Sequence, residues 1–113
     1  MKTANLYTDL EFNEKRPLIN VLFETPFTKE IRIAMHSGTE MKKHKTSFPI
    51  VVEIVDGTID FGVNNEILNL KKGSLISLNS NVPHDLNALE NSIVKLTLTK
   101  NDEMSRVEKV IEG

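Results

Sequence analysis

The chain of 113 residues contains no cysteine and no tryptophan, and only one tyrosine. Without cysteine there is no disulfide framework, no thiolate nucleophile and no thiolate metal site. No apolar run approaches the roughly 20 residues that a membrane-spanning helix needs. No basic stretch followed by an apolar one marks a secretory leader, so the expected location is the cytoplasm and no membrane partner is expected. Charge of one sign is also lacking: 14 basic residues face 16 acidic ones, for a formal net charge of −2. The lysines are scattered except for Lys42, Lys43 and Lys45, which read as a solvated loop. With few aromatic stacking platforms as well, a nucleic-acid partner is not expected. Phosphate-cradling glycine loops, a nucleophile elbow and the H-E-x-x-H metalloprotease pattern are missing too.

What is present is a regular succession of short β-type segments. At this length the chain reads as one domain, residues 1–113, large enough to bury a core without covalent staples. Apolar and β-branched residues predict strands over 18–24, 31–36, 49–55, 58–63, 66–70, 74–78, 85–89 and 93–100. With the segments around the turns this gives about eight or nine strands. Ile31, Ile33 and Met35 alternate with Arg32, Ala34 and His36, and Ile59, Phe61 and Val63 share one face. Asn64 and Asn65 form a two-residue hairpin connection, where asparagine tolerates a positive φ. Only the tail has helical spacing: Met104, Val107, Val110 and Ile111 predict a short amphipathic helix after a cap at Asn101 or Asp102.

Two histidines lie forty residues apart in similar glycine settings: Gly38, five residues, His44, then Gly57; and Gly73, ten residues, His84. In a small β-barrel, inward positions alternate along every strand, so strands distant in sequence can aim both imidazoles at one interior point. Glu40 and His36 stand four and eight residues before His44, and their roles stay open, because a turn at Gly38 interrupts the alternation. His36 alone reads as a structural or surface residue. Glu53 has the wrong alternation relative to His44 and reads as an outward carboxylate.

These two stretches resemble the cupin motifs G-x5-H-x-H-x3,4-E-x6-G and G-x5-P-x-G-x2-H-x3-N, with His44 and His84 on their histidine positions. The resemblance implies an all-β fold, the double-stranded β-helix or jelly-roll cupin barrel, followed by the short C-terminal helix. It also implies a metal site, of which His44 and His84 match two ligand positions. The second histidine and the glutamate of the first motif are replaced by Thr46 and Ile50. In the second motif Asn79, Asn81 and Ala88 stand for the proline, glycine and asparagine, with Asn87 one residue early.

The expected ligand pocket is therefore formed by His44, Thr46, Ile50, His84 and Phe61, walled by Ile59, Val94 and Leu96. Its expected function is small-molecule binding with a degenerate metal site and no assignable reaction. The alternative is a metal-dependent isomerase, dioxygenase or decarboxylase in which His44 and His84 hold iron, manganese, zinc or nickel. A third reading is an interaction scaffold. Apolar residues such as Val51 and Val55, on the strand face opposite Ile50 and Ile54, predict a homodimer.

Overall fold

A computed structural model describes residues 1–100 of the chain. These residues form nine strands: β1 Leu18–Glu24, β2 Thr28–Met35, β3 Glu40–His44, β4 Ile50–Asp56, β5 Thr58–Val63, β6 Glu66–Lys71, β7 Leu75–Leu78, β8 His84–Ala88 and β9 Ser92–Thr99. They make two antiparallel sheets, of order β1-β2-β9-β4-β7 and β3-β8-β5-β6. The expected tail helix lies outside the described residues. Among the described residues no helix is long and apolar enough to cross a membrane.

Alternation creates the core. Ile50, Val52 and Ile54 of β4, Ile59, Phe61 and Val63 of β5, and Ile31, Ile33 and Met35 of β2 all bury toward the space between the sheets. Leu86, Ala88 and Val94 close it. The outward Val51 stays 40% exposed. The two-residue turn at Asn64 and Asn65 has φ of 51° and 61°, the positive values of a primed hairpin turn. Gly57, at φ 87°, turns β4 into β5 where a Cβ would collide with Ser92. No other residue type fits there without displacing β9.

Two readings of the chain need correction. Lys42 and Lys43, which read as part of a solvated loop, are exposed residues of strand β3, Glu40–His44. Simple alternation hides this strand because it contains a bulge: Met41 pairs with Leu86 and His44 with His84, leaving Lys42 and Lys43 opposite Asp85 alone. Second, β2 is buried on both faces, including Arg32 and Ala34. The N-terminal segment covers part of its outer face, with Arg32 donating hydrogen bonds to the carbonyls of Leu6 and Thr8.

Candidate functional site

The bulge in β3 decides which way His44 points. Met41 and His44 are three residues apart and in a regular strand would face opposite sides. The extra residue restores them to the same side, toward the interior, and leaves Glu40 exposed on β3. The alternation that made Glu40 a possible companion of His44 is thus broken inside the strand, not at Gly38. His36 lies just beyond β2, where its Nδ1 meets the Ser37 carbonyl at 2.9 Å and its own carbonyl accepts from Thr39; it serves the turn.

His44 and His84 are directly paired across β3 and β8, with ring centroids 4.3 Å apart and planes tilted by 60°. Both line an interior cavity with Ile33, Met41, Val52, Leu86, Val94 and Leu96. All eight are cross-strand partners: Ile33 with Val94, Val52 with Leu96, Met41 with Leu86, and His44 with His84. The cavity is thus a stack of four residue pairs, two from each sheet. Its volume is about 20 Å³, enough for one water molecule. A cavity that encloses a drug-sized ligand measures roughly 300–1,000 Å³. The ligand pocket expected from the sequence is, in this conformation, largely filled by side chains.

Each imidazole is tethered in the same manner. His44 Nδ1 lies 2.7 Å from the Lys42 carbonyl oxygen, and His84 Nδ1 lies 3.0 Å from that of Val82. A carbonyl can only accept, so Nδ1 carries the hydrogen on both rings and Nε2 is the unprotonated nitrogen of the neutral form. Burial is the main effect lowering the His84 pKa below its ordinary 6.5; the nearby His44 lowers it further, against opposing contributions from the Val82 hydrogen bond and Asp85. Burial thus favours the neutral form of His84, whose Nε2 is then an acceptor in an apolar cavity.

The other expected site residues sit around this pair rather than on the cavity. Phe61 is wholly buried and stacks on His84, with centroids 5.6 Å apart and planes 8° from parallel. Ile50 belongs to the core at the start of β4, and Ile59 is likewise a core residue. Thr46 lies in the loop after β3, where its hydroxyl donates to the Phe48 carbonyl at 3.0 Å. Its own carbonyl accepts from Asn81 N at 2.7 Å. That bond ties together the two loops next to the histidines, 45–49 and 79–83. Of the expected walls, Val94 and Leu96 do line the cavity. Met41, Ile33, Val52 and Leu86 were not expected there. Ile33 could have been read from its alternation with Ile31 and Met35, whereas Met41 could not, because the bulge follows it.

Among the described residues, no group of three or more histidine, cysteine, aspartate or glutamate side chains is placed to hold a metal ion. Catalytic zinc and non-haem iron normally have three protein ligands. The two imidazoles do not meet that requirement, so no step through a metal is derived.

No protein-family model matches this sequence, and no curated protein does. Solved structures do. An RmlC-like cupin protein from Desulfovibrio desulfuricans superposes with a TM-score of 0.80 at 19% identity, over 88% of this chain and 96% of that one. A conserved protein of unknown function from Streptococcus pyogenes gives 0.75 at 20% identity, over 88% and 87%. A mutant of salicylate 1,2-dioxygenase from Pseudoaminobacter salicylatoxidans gives 0.64 at 20% identity, over 74% of this chain but 24% of that one. The two sheets and these superpositions define a small cupin-fold domain, with the jelly-roll barrel that the motif resemblance implied.

Proposed function

We propose that this protein is a binding cupin that takes a small molecule at the His44–His84 pair. The ligand is held by a hydrogen-bond donor, a hydroxyl or an amine, offered to the unprotonated Nε2 atoms. The observation that carries this reading is the double tether, which commits both Nδ1 hydrogens to backbone carbonyls and leaves both Nε2 atoms untethered beside six apolar side chains. Because the cavity holds only about one water, entry requires a side chain to move. Met41 is the half-buried, unbranched candidate. A thermal-shift series of small alcohols, phenols and amines in metal-free buffer tests this. At least one should raise the melting temperature of the wild type and not of the isosteric variant His44→Phe. Equal stabilisation of both proteins, or of neither, overturns it.

A metal-dependent enzyme is the second reading, because the same tethers free two Nε2 atoms in the way metal-ligating histidines require. If the barrel keeps the cupin metal geometry, Thr46→His with Ile50→Glu supplies the two missing ligands. Ile50 is buried, so its glutamate destabilises the metal-free variant. Zinc or manganese should then restore the melting temperature of the double variant and bind it far more tightly than the wild type. A folded double variant with wild-type metal affinity rules that geometry out.

We infer that the protein also forms a homodimer, supported by the exposed Val51 on the outer face of the five-stranded sheet. Light scattering at micromolar concentration should give twice the chain mass, and Val51→Lys should return it to the monomer.

A further inference from the structure

Arg32 is buried by something other than the barrel interior. It points to the outer face of β2, the opposite side from its neighbour Ile33, yet is only 5% exposed. Its four terminal N–H groups are all used. Nη1 donates to the carbonyls of Leu6 at 3.1 Å and Thr8 at 2.8 Å; Nη2 donates to the Asp9 carbonyl at 3.4 Å and to Asn20 Oδ1 at 3.1 Å. Every acceptor is neutral. Among the described residues, the ion pairs within 4.0 Å join Lys29 and Lys100 to Glu24 and Lys95 to Glu30; none involves Arg32. The buried Nε–H has no partner among the described residues. A cation withdrawn from water with no carboxylate in direct contact among the described residues, and with one donor unused, is costly to keep.

Beside it lies a surface cavity of about 590 Å³ whose lining includes Arg32, Thr3, Asn5, Thr8, Asp9 and Asn20. This lining is rich in unused donors. Asn5 and Asn20 spend their Oδ1 atoms as acceptors, for Tyr7 N and Arg32 Nη2, and both NH₂ groups are without a protein partner among the described residues. The Thr3 and Thr8 hydroxyls likewise have no protein partner among the described residues. We propose that this cavity binds a small monocarboxylate. Its oxygens accept from these hydroxyl and amide donors, and its charge answers that of Arg32. The Asp9 carboxylate in the same wall selects against a dianion such as phosphate, since like charges repel. The site is separate from the histidine pair, with β2 between them.

Nitrogen-edited NMR of the arginine Nε–H groups reads the site directly. The chain has three arginines, Arg16, Arg32 and Arg106, and Arg32→Met identifies the Arg32 signal by its loss. Acetate titrated at constant ionic strength against chloride should move that signal and the Thr8 and Asn20 backbone amides along one saturable curve, and phosphate should bind more weakly. Thr8→Val keeps the carbonyl that Arg32 holds and removes only the hydroxyl. It should weaken acetate binding by about tenfold or more, the loss of one hydrogen bond to a carboxylate. Shifts that grow linearly with acetate, shifts that chloride reproduces, or unchanged affinity in Thr8→Val overturn the site. Phosphate binding tighter than acetate overturns the monocarboxylate assignment.

Discussion

The interior between the two sheets and the outer face of the five-stranded sheet bury polar groups by opposite means. In the interior the polar groups of the cavity are imidazoles carried by the four-stranded sheet, each with its Nδ1 held by a nearby carbonyl, and an imidazole can be buried without a charge. On the outer face full charges are kept. Lys95 meets Glu30 at 2.8 Å, and the Thr97 hydroxyl donates to the same carboxylate oxygen at 2.6 Å. The terminal N–H groups of Arg32, though not its Nε–H, are taken up by three carbonyls of the N-terminal segment and one amide oxygen. Between the two sheets only a group that can discard its charge is cheap to bury; at a sheet surface with loops at hand, charges can be paired or solvated by backbone. The difference separates a place where a proton or donor can be exchanged from one where charge is fixed.

The largest expected effect is on the inner side. Phe61 is wholly buried in the core and lies flat on His84, so Phe61→Ala opens a void there. A loss of about 3–5 kcal/mol is expected from cavity formation and lost burial, measured by urea denaturation with an unchanged slope. The exposed Leu75→Ala serves as control and should cost within about 0.5 kcal/mol. Next comes Lys95→Met on the outer side. It leaves the Glu30 carboxylate, 12% exposed, with the Thr97 hydroxyl but no cation. A cost of about 1–2 kcal/mol is expected, above that of an exposed pair and below that of a fully buried one. A cost near zero in the same denaturation series would make Lys95–Glu30 an ordinary surface pair and erase the contrast.

How much of this was legible depends on whether local chemistry or distant packing decides. The hairpin at Asn64 and Asn65 and the turn at Gly57 were readable, because positive φ restricts residue choice on the spot. The convergence of His44 and His84 was readable through their glycine-flanked spacing. Strand β3 was not, since the bulge at Lys42 and Lys43 breaks the alternation on which strand recognition rests. The size of the cavity was not either. It depends on how Met41 and Leu86 of one sheet meet Ile33, Val52, Val94 and Leu96 of the other, and no single segment contains that information. Arg32 read as the polar partner in an alternating strand; its burial comes from residues 6–9, a stretch without periodicity.

The smallest expected effect is one of slope, and it separates the interior from the outer face by pH. His84 has its pKa lowered from 6.5, chiefly by burial. The unfolded chain therefore takes up the proton first, and stability falls as the pH drops through 6.5 toward the lower folded value. Glu30 titrates the other way. Burial is the largest single influence and raises its pKa, but the hydrogen bonds from Lys95, Thr97 and Thr28 and the Lys95 charge together outweigh it, so the folded value lies below 4.5. Its contribution is present above 4.5 and is lost only as the pH falls below that. The urea midpoint followed against pH should accordingly decline in two steps. His84→Gln should remove the upper step and leave the lower, while Lys95→Met should flatten the lower and leave the upper. A wild-type midpoint that stays level between about pH 7 and pH 5 would mean that the buried imidazole accepts its proton without cost, and the interior would then tolerate charge as the outer face does.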